Sequence, residues 1–313
     1  MTLLVGSLTI GLVLAFLALG IRTSFRIFGV ADISVDGTLT LGASVAAVLL
    51  VGSGWDPLWA TLAAATAGGL AGIITGLLQT RFRIDPLLSG ILVMTALYSV
   101  NLRIMGRSNT PLLAVRSLTT VAEEWGLAWF GREDVNVAGW MVPASDLMLL
   151  AMIAVIAALT VSGLRWFFST EIGTAMRASG DNPQMILALG GNVDLMRVAG
   201  LGLSNSLAAL SGALWAQVQG FADAQMGIGM VVWGLASVIL REVHCGRAPH
   251  AVALIATVFG SVIFRLLIAL ALGFGLNPND LKLITAFFVF AALVLPTALA
   301  KWRERAVRRK ATP

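Results

Sequence analysis

Three carboxylates stand among apolar residues, Asp32, Asp36 and Asp223. An ionisable group at membrane depth is costly and usually faces a cavity or a partner. These three could therefore border a solute path, with Asp32 and Asp223 at its opposite ends, and Asp32 or Asp223 could instead couple to protons or sodium. Capping of the short helix that follows is the competing role for Asp32 and Asp223. Neutral polar residues on apolar runs, Ser99, Asn101, Asn205, Ser211 and Gln217, could line the same path. Hydrogen bonds between helices explain them equally well. Arg265 lies within another apolar run, where a structural ion pair is the expectation and a solute ligand the alternative.

A second constellation is the stretch from Thr170 to Gly190. Asn182 can cap a helix, Pro183 suits its first position, and Gly190 with Gly191 ends it. Met185, Ile186, Leu187 and Leu189 give this short helix more apolar surface than a solvated turn requires. Such a helix is suited to docking on a partner, or to packing on its own protein or the bilayer.

Several chemistries are excluded by their motifs. Gly-Lys never occurs, so no Gly-x-x-x-x-Gly-Lys-Ser/Thr phosphate loop is present, and no His-Glu-x-x-His motif or serine elbow appears. His244 and His250 are too few for a metal centre, and the single cysteine, Cys245, allows no internal disulfide. No catalytic residue, bound cofactor or metal is expected on this chain.

The elements that position these residues follow from composition. Of 313 residues 58% are hydrophobic and 12% charged, against roughly 45–50% and 25% in soluble domains. One soluble core cannot hide that excess, so it faces lipid. An all-α, polytopic membrane protein of about nine transmembrane helices is predicted. The runs are Ser7 to Ile27, Thr38 to Val51, Pro57 to Gln79, Leu87 to Met105, Ser145 to Phe168, Met196 to Gln219, Met230 to Val243, Pro249 to Leu272 and Leu281 to Lys301. The second and seventh are short, as helices broken beside a cavity would be. The longest loop, Gly106 to Val142, carries no strong element signal. Ala64, Gly68, Gly72 and Gly76 form a small-residue face for close packing, within one subunit or between two.

The basic tail from Lys301 to Lys310 places the C-terminus in the cytoplasm. Alternation then puts most of the remaining arginines inside and the N-terminus outside. Trp55, Trp59, Trp125, Trp129 and Trp140 fall near the outer face, and Trp166 and Trp302 near the inner one. The net charge of +5 reflects this orientation and not nucleic-acid binding.

The two halves of the chain also match. Gly29-Val-Ala-Asp32 recurs as Gly220-Phe-Ala-Asp223, and Gly42, Pro57, Gly68 and Pro86 recur in register as Gly234, Pro249, Gly260 and Pro278. An odd number of helices separates the copies, so the second enters the membrane inverted, a transporter architecture. The chain is read as one domain, 1–313. Repeat one spans about 7–105, the connecting helix and cytoplasmic loop about 145–195, and repeat two about 196–301.

Glu171 to Gly190, Asn192-Val-Asp194 and Leu203 to Gly212 resemble the coupling segment and next helix of branched-chain-amino-acid and ribose-type ABC importer permeases. Ala31 to Gly37, running into Leu41-Gly42, is similar to a motif near the start of the same proteins. The resemblance covers nearly the whole chain and is nearest to a tryptophan/tyrosine-uptake subgroup. It implies a permease of the bacterial cytoplasmic (inner) membrane taking up a small organic solute, with an amino acid, aromatic in the nearest subgroup, as the expected cargo. It implies cytoplasmic ABC ATPase subunits that hold ATP and Mg, an extracytoplasmic solute-binding protein and a second permease copy, all within membrane lipid. Glu171, Gly173, Arg177, Gly180, Asn182, Pro183, Ala188 and Gly190 then become ATPase-coupling positions. Asp32, Asp36, Asn101, Asn205, Gln217 and Asp223 border the path. The rival is an ion-coupled secondary transporter built on the inverted repeat alone.

Overall fold

The structure is a computed structural model that describes residues 2–27, 29, 32–137, 139–245, 250–275, 280, 283–287 and 290. α1 (Thr2–Arg22) widens into a π-helical stretch, Thr23–Ile27, before α2 (Ser34–Ser53). α3 (Pro57–Thr80) and α4 (Pro86–Met105) each begin with proline at the first turn. Their caps are aspartates: Asp56 accepts from the Leu58 amide at 3.0 Å and Asp85 from the Leu87 amide at 2.9 Å. Each satisfies amides that a helix start leaves without partners.

The segment from Gly106 to Val142, expected to lack strong elements, is instead structured. It holds strand β1 (Asn109–Pro111), helix α5 (Leu118–Phe130) and the hairpin strands β2 (Asp134–Val137) and β3 (Trp140–Pro143). The local signal for α5 is a capping box between Ser117 and Thr120. Then follow α6 (Ala144–Ser169), α7 (Glu171–Asp181), α8 (Pro183–Ala188), α9 (Val193–Gln219), strand β4 (Phe221–Asp223), α10 (Met230–Cys245) and α11 (His250–Gly273).

Seven of the described helices are long and apolar enough to cross a membrane, and Met230–Ile239 forms a shorter apolar piece. The protein is therefore all-α and multi-pass. The predicted second run proves to be full length: α2 starts at Ser34 and spans 20 residues. Its first turns are polar because they face other helices, which shortens the run visible to hydropathy. The ninth expected run and the basic tail lie largely or wholly outside the described residues.

Packing sets the layers. α9 sits centrally against α1, α2 and α3, while α11 packs on α1 and α10. The two pairs are related in kind: α3 lies on α9 as α11 lies on α1, and α2 meets α9 as α10 meets α1. Small residues allow the closest approaches. A Cβ on Gly72 would run into the Leu201 carbonyl, one on Gly68 into Ala209, and one on Gly76 would come 2.7 Å from Val198 Cα. The small-residue face of α3 therefore closes on α9 of the same chain. Reciprocal contacts lock α2 to α9, where Gly42 meets the Ala209 carbonyl and Gly212 meets the Leu39 carbonyl. By contrast α6 is only 17% buried over its apolar window and α4 28%, so both stand at the rim.

Candidate functional site

Two regions collect the residues that the sequence singles out. The first lies between α2, α9 and α10, near the middle of the long helix α9. Asn205 is fully buried there and uses both ends of its amide. Its Nδ2 donates to Asp32 Oδ2 at 2.7 Å and to the Leu201 carbonyl at 3.1 Å. Its Oδ1 accepts from Thr38 at 2.6 Å and Ser34 at 3.2 Å, and Thr75 donates to the Ser34 hydroxyl at 3.2 Å. Asp32 Oδ1 also accepts from the Ser34 amide at 2.9 Å, at the start of α2. One network thus joins α2, α3 and α9 around a buried carboxylate, where every donor offsets desolvation.

Asp36 faces the other way. Its two carboxylate oxygens accept from the Gly229 amide at 2.8 Å and the Val231 amide at 2.7 Å, across the start of α10. Negative charge at that position suits a helix N-terminus. Thr40, one turn along α2, accepts from the Gly227 amide at 3.1 Å. Gly227 is obligatory, since a Cβ there would collide with the Asp36 carbonyl.

The chain reaches this point by turning back from the end of α9. Gly220 adopts a φ of +82°, and β4 pairs antiparallel with β1, Asn109 opposite Asp223. Asp223 accepts from the Gln225 amide at 2.8 Å and holds the turn that follows β4. Gln217, also fully buried, donates to Thr61 at 2.8 Å and accepts from the Leu118 amide at 3.2 Å. It ties the outer helix α5 to α9 and α3.

Asp36, Gly37, Thr40, Tyr98, Asn101 and Ile228 help to line a cavity of about 230 Å³ between α2, α4 and the returning segment. Asn101 Nδ2 donates to the Gly37 carbonyl at 3.2 Å, and among the described residues its buried Oδ1 has no partner. The structure therefore brings Asp36 and Asn101 to one cavity, and Asp32 and Asn205 into one network. It keeps Gln217 and Asp223 apart from both.

The second region is cytoplasmic by the predicted orientation. Thr170 caps α7 by accepting from the Gly173 amide at 3.2 Å. Gly173 must lack a side chain, because a Cβ would strike the Phe167 carbonyl. Met176 seats α7 in a cluster with Leu19, Leu164, Phe168, Leu207 and Leu254. Asn182 caps α8 by accepting from the Met185 amide at 3.1 Å, with Pro183 at its first position. Gly190, at φ +81°, ends it. Ile186 is buried beneath α8, whereas Met185, Leu187 and Leu189 are exposed. Among the described residues Arg177 Nε is buried without a hydrogen-bond partner, and no ion pair forms on Glu171 or Arg177.

Residues 3–294 match the profile of a family described as branched-chain amino acid transport system / permease component. The chain belongs to this family. It is a permease of the ABC-importer type. A tyrosine transport system permease protein of Clostridioides difficile (strain R20291) is 38% identical over 290 residues, covering 93% of this permease and 90% of that protein. A nucleoside ABC transporter permease protein of Lactococcus lactis subsp. cremoris (strain MG1363) is 26% identical over 302 residues, covering 87% and 84%. Among solved structures, PsaBC from Streptococcus pneumoniae in complex with Fab shares the fold at a TM-score of 0.51 and 12% identity, covering 93% of this permease and 89% of that chain. Family membership implies an ATPase, a solute-binding protein and membrane lipid as the permease's partners, and its transport role is consistent with a non-catalytic subunit.

Missed by sequence reasoning were the mutual placement of Asp36 and the start of α10, and the lack of an ion pair on Arg265 among the described residues. The first had no local signal. The second could have been suspected, since no acidic residue shares its apolar run.

Proposed function

We propose that this permease takes up an amino acid, an aromatic one by preference, driven by ATP hydrolysis on a separate subunit that docks on α7 and α8. The observation that carries the reading is the α7–α8 unit. A six-residue helix, fixed by Asn182, Pro183 and Gly190, displays Met185, Leu187 and Leu189 outward beside Glu171 and Arg177, which form no ion pair among the described residues. Exposed apolar side chains flanked by desolvated or unpaired charge fit the centre of a protein contact. Gly173 seats α7 closely on the end of α6, so a partner's movement reaches α6 and α9 through Met176 and its cluster, with Gly180 and Ala188 as further coupling positions. ATP and Mg belong to that partner.

The matched packing of α3 on α9 and α11 on α1 supports an inverted repeat, with α2 and α10 as corresponding helices. In this reading the path passes Asp36 and Asn101 at the α2–α4 cavity. Asp32, Asn205, Gln217 and Asp223 fix the helices and the returning segment that bound it. α4 leaves Thr95, Tyr98, Ser99 and Arg103 exposed along one face. Polar groups of this kind are poorly suited to lipid, and they support a second permease copy across the path. The preference for an aromatic amino acid rests on the likeness to the tyrosine permease. The C-terminus is assigned to the cytoplasm.

The test is reconstitution of the permease with its co-purifying partners into liposomes, followed by uptake of labelled tyrosine. ATP-dependent accumulation that competes with phenylalanine or tryptophan supports the reading. Accumulation driven by an ion gradient in the absence of ATP would establish the secondary-transport mechanism instead.

A further inference from the structure

A second cavity, of about 400 Å³, opens between α1, α9, α10 and α11. Arg265 lines it together with Trp215, Trp233, Leu14 and Ile268, and its size falls in the range of small-ligand sites. Trp233 is buried and packs edge-to-face on Phe264, ring centroids 5.4 Å apart, so this wall is rigid. Gly229 and Met230 line it on the side of the α2–α10 contact, and Ile228 borders both this cavity and the one at Asp36.

Arg265 is the unusual member. Its helix carries no other Asp, Glu, Lys or Arg, and among the described residues its buried Nε has no hydrogen-bond partner and no carboxylate pairs with it. Among the described residues of the lining, Arg265 is a positive charge with no aspartate or glutamate beside it. An unpaired guanidinium in a membrane helix marks a function or a missing partner. Its planar fork is matched to carboxylate and phosphate oxygens. The remaining described lining suits an apolar or aromatic body, with Gln225 and Thr285 as further polar groups.

We propose that this cavity binds a monoanionic amphiphile, its carboxylate or phosphate on Arg265 and its apolar body along Trp215 and Trp233. A zwitterionic amino acid fits worse, because its ammonium would find no counter-charge in the described lining. The site is thus distinct from the solute path and does not depend on which solute the permease carries. An anionic lipid and a soluble aryl carboxylate share the required chemistry, and experiment separates them.

The full-length chain is reconstituted in nanodiscs of phosphatidylcholine, and intrinsic tryptophan fluorescence is followed during titration with 4-hydroxyphenylacetate or tyrosine. The wild type is expected to bind the aryl carboxylate about tenfold or more tightly than tyrosine, and Arg265→Gln to weaken that binding by about tenfold or more. Arg265→Lys retains part of it. In discs containing phosphatidylglycerol, loss of the wild-type response, with lipid retained on the wild type but not on Arg265→Gln in native mass spectrometry, identifies lipid as the occupant. An unchanged response identifies a soluble anion. If Arg265→Gln does not fold, Arg265→Lys and Trp215→Ala carry the comparison. The proposal is overturned if folded variants bind the carboxylate and retain phosphatidylglycerol as the wild type does, if tyrosine binds as tightly as the carboxylate, or if neither probe binds the wild type.

Discussion

α2 meets α9 on one side and α10 on the other, and the two contacts handle polar groups in opposite ways. Against α9 the backbones touch through Gly42 and Gly212, and Asn205 has partners at both ends of its amide. Against α10 the contact is a carboxylate on two amides, with cavities on either side. The first interface leaves no room for water. The second borders space in which water or solute could replace the carboxylate. Burial and complete pairing therefore mark the scaffold, and the carboxylate on two amides beside a cavity is the contact we expect to rearrange during transport.

The largest effect is expected at the scaffold. Gly212→Val would drive a side chain into the Leu39 carbonyl, and overpacking of this kind costs about 1–3 kcal/mol or more. Loss of monodisperse protein in size-exclusion chromatography checks it. A well-folded Gly212→Val would show that α2 and α9 do not approach as described.

Next is Asn205→Leu, which strips a donor from the buried Asp32 carboxylate and leaves Thr38 without its acceptor on Asn205. A loss of about 3 kcal/mol is expected in thermal unfolding of the purified permease. Adding Asp32→Asn should return part of it, since the charge left unpaired is then gone. Strictly additive losses would mean that the two residues do not act as one network.

Asp36→Asn sharpens the contrast. One oxygen can still accept from α10, so stability should fall by only about 1 kcal/mol. Uptake should drop by about tenfold or more when the signal is corrected for the amount of folded permease. An uptake loss no greater than the loss of folded protein would place this contact with the scaffold. The smallest stability effect belongs to Tyr98→Ala on the exposed face of α4, within about 0.5 kcal/mol. Cross-linking of a cysteine at that position to its counterpart in a second copy reads out the face it presents. Absence of any cross-link would count against the second permease copy at α4.

Much of the fold was readable because its punctuation is local. Pro57, Pro86, Pro183 and Gly190 mark helix ends by backbone preference alone, and long apolar runs show themselves by hydropathy. The start of α2 was hidden because Ser34, Asp36, Thr38 and Thr40 are polar yet buried, satisfied by other helices. α5 was hidden for a related reason. It carries only a narrow buried face, Leu118, Ala122 and Gly126, between exposed tryptophans and acids. The candidate coupling unit was legible as a local motif. The partnership of Asp36 with residues nearly two hundred positions away depends on tertiary approach, which no spacing rule reports.

The central claim is that α7 and α8 receive the work of ATP hydrolysis from a partner subunit. It is tested most directly by a cysteine at Leu187, exposed on α8, in a Cys245→Ser background that retains uptake. Cross-linking is carried out in native membranes with and without trapped ATP. The account predicts a cross-linked product with a subunit carrying a Gly-x-x-x-x-Gly-Lys-Ser/Thr loop, in a yield that changes with nucleotide. Uptake that continues without ATP, with no nucleotide-binding protein attached at Leu187, would contradict it.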